Sequence, residues 1–329
     1  MRRARCGFGV IAVSALFQIA LAADASAQSY PTRSITMIVP YPAGGPTDTL
    51  ARIMADPLKA ALGQSVIIEN VTGAGGSIGT ARVAHGAPDG YTIEIGHNQT
   101  HVINGATQNL NYDVVKDFEP VTLIAETPIW LIARPSVPAT TLHEFIAWLK
   151  KQDGKATMGS VGVGGPGDIA AESFKRQTGT KFAFVPYRGG APLLQDMLGG
   201  QIDFTFGQAP TYLPYVHNGQ LKAFAVLMPQ RWYAAPDVPT LDELGVKSIY
   251  ASFWHGIWAP KATPKPIIQK LAAAFVQTLA DQGVQQRFKD IGQEIFPRDK
   301  QNPAALAEQQ RVEIERWWPV IKAAGIKSE

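Results

Sequence analysis

Apolar runs alternate with glycine-bearing polar breaks along this chain, and the alternation predicts strands and helices in turn. Ser34-Ile35-Thr36-Met37-Ile38-Val39 is β-branched, apolar and bounded by proline, which predicts a buried strand. Leu50, Ile53, Met54, Leu58 and Ala61 then share one helix face, closed by Gly63 as a C-terminal cap. Residues 65–71 predict a strand, and the glycine-rich stretch 72–79 leads into a helix holding Val83. After a Pro88-Asp89-Gly90 turn, 91–95 predicts a third strand, ending in the polar loop Gly96-His97-Asn98-Gln99-Thr100-His101.

Segment 120–135 is too long for one ordinary strand and carries Pro128, so it predicts two strands with a crossing between lobes near Thr127. A second run follows, with a helix over Leu142, Phe145, Ile146 and Leu149 and a loop at 158–168 that opens a helix over 169–177. The strand 182–185, the loop Pro186-Tyr187-Arg188-Gly189-Gly190, the helix 191–198 and strands at 201–206 and 221–227 complete it. Residues 252–258 predict a strand returning to the first lobe. The end is helical, with Ile267, Ile268, Leu271, Phe275 and Leu279 on one stripe and a final helix carrying Trp317 and Trp318 beside Pro319. No tandem repeat is found. Short loops between alternating strands and helices predict an α/β fold of mainly parallel sheets flanked by helices. The expected layout is one lobe from 28–126 plus 251–329, a second from 127–250, and a ligand cleft between them.

In such folds ligands sit beyond the carboxyl ends of the strands. The first of these ends is Tyr41-Pro42-Ala43-Gly44-Gly45-Pro46-Thr47-Asp48, between a strand and a helix start. There the unpaired amides and the helix dipole attract an anion without any lysine or arginine. Asp48 is expected either to accept a hydrogen bond from a ligand hydroxyl or bound water, or, like Thr47, to cap the helix. Asn98 and Gln99 stand at a second strand end. Ser160, Gly162 and Gly164 lie in the 158–168 loop, where the serine is expected to donate to a ligand carboxylate. Arg188 is the one cation in the glycine loops, suited either to pair with a carboxylate bidentately or to remain a surface residue. Gly189 follows it, and Tyr187 and Trp254 are expected to wall the pocket.

Several other chemistries fit less well. Gly73-Ala74-Gly75-Gly76-Ser77-Ile78-Gly79 follows a strand, with Glu94 placed like a ribose acceptor, but its glycines miss the dinucleotide register. His97 and His101 have the spacing of two metal ligands on a helix, without a base or an obvious third ligand. Ser160 lacks the Gly-x-Ser-x-Gly spacing of a hydrolase elbow. No cofactor and no metal is therefore expected.

Residues 1–27 have the pattern of a secretory signal: Arg2, Arg3 and Arg5, an apolar core over 10–21, and Ala25-Ser26-Ala27 as a cleavage site. The only cysteine, Cys6, lies in that segment, so the processed chain has no disulfide or thiolate chemistry. The formal charge of +3 drops to +1 without the three arginines and Asp24 of the signal. No basic run favours nucleic acid or an acidic membrane. A bacterial-looking signal on a cysteine-free chain predicts the periplasm.

From about Tyr30 to the C-terminus the chain resembles the extracytoplasmic receptors of tripartite tricarboxylate transporters, the Bug receptors. The matching pieces include Tyr41-Pro42-Ala43-Gly44-Gly45 with Asp48, Glu69-Asn70 with Gly73-Ala74-Gly75-Gly76, Pro88-Asp89-Gly90-Tyr91, Val185-Pro186-Tyr187-Arg188-Gly189, Pro236-Asp237-Val238-Pro239-Thr240 and Trp254-His255-Gly256. The resemblance implies a two-lobed fold like that of periplasmic binding proteins. It also implies a small carboxylate, above all a dicarboxylate, held by amides, hydroxyls and waters, and permease subunits as membrane partners. Two departures stand out: Asp168-Ile169 replaces the family's His-Leu pair at the second-lobe helix, and Pro57 interrupts the first helix. The expected protein is a monomeric receptor. A receptor reporting to a sensor kinase is the alternative, with an exported serine hydrolase using Ser160 as a further one.

Overall fold

The computed structural model describes residues 30–161, 164–187 and 189–327. The signal reading, Gly162 and Arg188 lie outside the described residues. The chain runs β1 (Ile35–Val39), α1 (Pro46–Leu62), β2 (Val66–Asn70), α2 (Ser77–Ala84), β3 (Thr92–His97), α3 (Asn104–Thr107) and β4 (Phe118–Ala133). Then come α4 (Leu142–Gln152), β5 (Thr157–Val161), α5 (Pro166–Thr178), β6 (Ala183–Tyr187), α6 (Gly190–Leu198), β7 (Phe204–Gln208), α7 (Ala209–His217) and β8 (Lys222–Val226). It closes with β9 (Ser252–Pro260), α8 (Lys265–Leu279), α9 (Gln282–Asp290), β10 (Glu294–Ile295) and α10 (Pro303–Ala324).

The strands follow the order β2-β1-β3-β9-β4-β7-β5-β6, with β8 and β10 also paired to β4. β1 pairs parallel with β2 and β3, and β5 pairs parallel with β6 and β7. Between these parallel sets, β4 and β9 run antiparallel from Phe118↔Pro260 to Pro128↔Ser252. The two halves of the sheet are thus α/β units joined through β4.

β4 corrects an expectation. It is one strand of 16 residues, not two strands broken at Pro128. At that residue the neighbours change: β9 ends opposite Pro128, while β7 and β8 begin at Ile129 and Trp130. A proline removes one ladder donor, and here the loss falls where one ladder stops and the next starts. Pro57 likewise lies inside α1 without ending it, and Gly63 caps that helix at φ 71° with its amide bonded to Lys59. The polar loop 96–101 is shorter than expected, because β3 extends to His97 and a π-helical turn runs over Gln99–Ile103. Residues 158–161, expected as loop, belong to β5, and α5 starts at Pro166.

Apolar contacts explain the layers. Ile35, Met37 and Val39 of β1 pack with Leu50, Met54 and Leu58 of α1 and with Leu271 and Phe275 of α8. On the other half, Trp130 and Ile132 pack with Leu193, Met197, Tyr212 and Trp232. A third cluster runs across both halves, from Ile38 and Val83 through Phe118 and Leu131 to Phe145 and Phe174, and includes Trp317 and Ile321 of α10. Among the described residues, no helix is long and apolar enough to cross a membrane.

Candidate functional site

The loop from Tyr41 to Gly45 leaves the carboxyl end of β1 and turns into α1, with Pro46 opening the helix. Pro42, Ala43 and Gly44 are exposed, whereas Thr47 and Asp48 are buried. Asp48, only 1% exposed, holds the turn together. Its Oδ2 accepts from the Gly44 amide at 2.8 Å and from Arg52 Nε at 2.8 Å, and its Oδ1 accepts from Asn70 Nδ2 at 2.9 Å. The same Asn70 amide donates to the Tyr41 carbonyl at 3.0 Å, and Arg52 donates to Asn70 Oδ1 at 3.2 Å. Burial alone would raise the Asp48 pKa, but the bonds from Arg52, Gly44 and Asn70 outweigh it and bring it down to about 2. Asp48 therefore acts on the loop from inside. Gly44 and Gly45 spend their amides within the protein, the latter on the Pro42 carbonyl, while those of Ala43, Thr47 and Asp48 meet no acceptor among the described residues.

The Tyr41 ring stacks on His97, centroids 4.5 Å apart, and its hydroxyl reaches toward the Gly75 carbonyl. A side chain at Gly76 would meet Thr100 and the Tyr41 hydroxyl at 2.7 and 3.0 Å, and its φ of +92° also favours glycine. That close approach brings the β2–α2 and β3–α3 connections beside the first loop. Asn98 donates to the Ser252 carbonyl at 2.6 Å, at the start of β9, and its buried Oδ1 has no partner among the described residues. Gln99 donates to Asn104, which donates to the Gly75 carbonyl. Tyr41, Asn98 and Gln99 are thus gathered at one edge of the first half.

His97 and His101 do not form a pair. His101 stacks on Trp258 at 3.6 Å and lies 3.3 Å from Glu94, while His97 faces Tyr41 and His255. Among the described residues, no group of three or more His, Cys, Asp or Glu is placed to hold a metal ion. His255 shares a hydrogen bond of 3.1 Å with Thr47 in the first turn of α1. Burial pushes its pKa down to about 4 and that of His97 well below the usual value, so both rings are neutral. In the unfolded chain such a ring gains its proton near pH ~6.5. Hence the unfolded state binds more protons between that pH and about 4, and stability is full above this window and falls as the pH is lowered through it. Denaturant melts of His255→Gln should show a slope across this window shallower by about 1.4 kcal/mol per pH unit at most. An unchanged slope would mean that His255 is charged in the fold.

The second half repeats the arrangement. Gly164-Gly165-Pro166-Gly167-Asp168 matches Gly44-Gly45-Pro46-Thr47-Asp48 at every position but the fourth. Gly44 and Gly164 have φ of 80° and 77°, Gly45 and Gly165 are extended N-caps, and a proline opens each helix. Asp168 Oδ2 accepts from the Gly164 amide at 3.0 Å, as Asp48 does from Gly44. The sequence suggested Asp168 as a helix cap or as an acidic group that alters ligand choice, but the shared Gly-Gly-Pro-x-Asp that pairs it with Asp48 went unnoticed. Ser160 differs from expectation: its hydroxyl donates to Asp168 Oδ2 at 2.7 Å. A hydroxyl has one proton, so Ser160 has none left for a ligand carboxylate, and its bond is not to an imidazole.

Tyr187 is tied by its hydroxyl to Asp196 at 2.5 Å, and Gly189, the N-cap of α6, has open space beside its Cα. Trp254 is a correction. Its ring is fully buried in the apolar cluster with Trp258, Leu306 and Trp317, so it supports the sheet and offers a ligand no exposed surface. Beside the second loop lies a cavity of about 380 Å³, bounded by Ser160, Gly164, Asp168, Glu172, Phe184 and Lys327.

An α/β sheet divided across two long crossing strands, with a matched glycine loop opening a helix in each half, is the build of a solute-binding protein. The model for the tripartite tricarboxylate transporter family receptor matches residues 50–326, and the chain belongs to that family. It is 34% identical over 310 residues to protein BugT of Bordetella pertussis, covering 93% of this chain and 94% of that one. Among solved structures, MatC of Rhodopseudomonas palustris with bound malate is 35% identical, with a TM-score of 0.76 over 89% of this chain and all of the other. A second protein of that organism, with adipate, is 33% identical, with a TM-score of 0.78 over 91% of this chain and 99% of the other. These relatives support the α/β architecture expected of a periplasmic binding protein.

Proposed function

We propose that the protein is an exported receptor that captures a small carboxylate between two lobes and delivers it to a tripartite tricarboxylate-type membrane transporter. The lobes are 28–126 with 251–329, and 127–250, with the signal removed near Ala27. The observation that carries this reading is the pair of Gly-Gly-Pro-x-Asp helix starts, one in each half of the sheet. In the first, the amides of Ala43, Thr47 and Asp48 remain for a carboxylate, and the dipole of α1 adds partial positive charge. Closure would bring the second loop over the ligand, which selects the closed state by its extra affinity for it. The malate and adipate of two relatives are diacids and support a dicarboxylate as the first class to screen. No step of bond making or breaking is needed, and membership of the family supports delivery to a membrane partner.

The test is a thermal-shift panel on protein recovered from the periplasm and refolded to free it of co-purified ligand. Mono-, di- and tricarboxylates are compared with uncharged analogues. At a hundredfold excess over Kd a ligand adds about 2.7 kcal/mol, which should raise Tm by roughly 5 °C. A shift confined to carboxylates is the expected result. Equal shifts from uncharged analogues, or none from any carboxylate, would overturn the reading.

A further inference from the structure

The two matched loops differ in one electrostatic respect. Four residues after Asp48 stands Arg52, which bonds its carboxylate; four residues after Asp168 stands Glu172. Asp48 is engaged through both oxygens, by Gly44, Arg52 and Asn70. Both bonds found for Asp168 fall on Oδ2, from Ser160 and Gly164, and its Oδ1 has no partner among the described residues. The residue is only 6% exposed and bounds the 380 Å³ cavity together with Glu172. That volume suits a small ligand, at the lower end of the ~300–1,000 Å³ usual for ligand sites.

Among the described residues, no cation pairs with the Asp168 carboxylate. Lys175 is 2.9 Å from Glu172 and lies over the Phe182 and Phe184 rings, and Lys327 is the cation on the cavity wall. Burial raises the pKa of Asp168 to about 6, Glu172 adds to the rise, and the bonds from Ser160 and Gly164 oppose it. At neutral pH the group is mostly ionised, without the guanidinium that Asp48 enjoys. A carboxylate brought against it would set two like charges side by side in a partly desolvated pocket. An ammonium, hydroxyl or amide N–H would instead donate to Oδ1, which has no donor among the described residues. Phe184 and Pro186 offer apolar cover for a short alkyl chain.

We infer that Asp168 sets the specificity of this receptor: the ligand carries its carboxylate at the first loop and a hydrogen-bond donor, not a second free carboxylate, at the second. The inference rests on the receptor reading above and narrows it to amino-acid-like or hydroxy-acid-like monocarboxylates, apart from the diacids of the relatives.

Calorimetric titration at neutral pH tests it with matched ligands: adipate and glutarate, each beside its ω-amino and ω-hydroxy analogue of equal chain length. In the native protein a donor-ended member of each set should bind about tenfold or more tightly than its diacid. Asp168→Asn should bring the ratio within roughly threefold, because the amide no longer repels the second carboxylate. Should that variant melt early, Glu172→Gln carries the same comparison, and its ratio should move in the same direction. Tighter binding of the diacids by the native protein would overturn the inference and leave the receptor reading standing. A donor preference that persists unchanged in a folded variant would do the same. If no carboxylate of either kind binds, the receptor reading fails and this inference falls with it.

Discussion

Trp254→Ala is expected to cost about 3–5 kcal/mol of stability, the penalty of emptying a fully buried indole site. The ring sits among Trp258, Leu306 and Trp317, between β9 and α10, in a cluster that extends into both halves of the sheet. Its loss should therefore show as a lower urea midpoint at an unchanged m-value. Under conditions where the variant is still folded, ligand affinity should remain within about threefold of native, since a group remote from the ligand adds little to binding. A large affinity loss with native stability would return Trp254 to the pocket wall that its sequence neighbourhood suggested.

Asp48→Ala should have the largest effect on binding. It removes the acceptor for Gly44, Arg52 and Asn70 together, and the loop loses the group that holds its turn. Charge-assisted bonds of this kind are worth about 1.5–3 kcal/mol each at most, and stability should fall by roughly 2–3 kcal/mol because solvent reaches Arg52. Affinity for the carboxylate should fall about tenfold or more, because the amides of Ala43, Thr47 and Asp48 are no longer preorganised. Asp48→Asn can restore the acceptor for Gly44 or Asn70 but not the charge that pairs with Arg52, so it should recover part of both losses. Native affinity in a destabilised Asp48→Ala would mean that the aspartate supports the fold alone. The acid limb separates the roles further. With its pKa held at about 2, Asp48 contributes stability in full above pH ~3.8, and this is lost as the pH falls through 2.

Much of the fold was legible because it rests on local pattern. The face of Leu50, Ile53, Met54 and Leu58 and the αL cap at Gly63 are properties of one helix and its next residue. The same holds for the apolar run of β1 and for the stripe of α8. What failed was the inference from one residue type to a break. Pro57 and Pro128 each lie inside a continuous element, since what a proline costs depends on which donor it removes and what packs around it. α7 carries two prolines and α9 is short and polar, and neither stands out by periodicity.

By itself the sequence determined the class of the fold, the positions of the glycine loops at strand ends, and the family. Each is written in short-range spacing or in matches along the chain. The partners of the polar groups were decided only by the tertiary structure. Asn70 reaches Asp48 from a neighbouring strand, and Ser160 lends its one proton to Asp168. Trp254 turns into the core although it belongs to a family motif. Two aspartates closing the same Gly-Gly-Pro-x-Asp pattern end with opposite electrostatic characters, one clamped by Arg52 and one left beside Glu172 in a cavity. Burial and the neighbouring charge set that difference, and both arise only when distant segments meet.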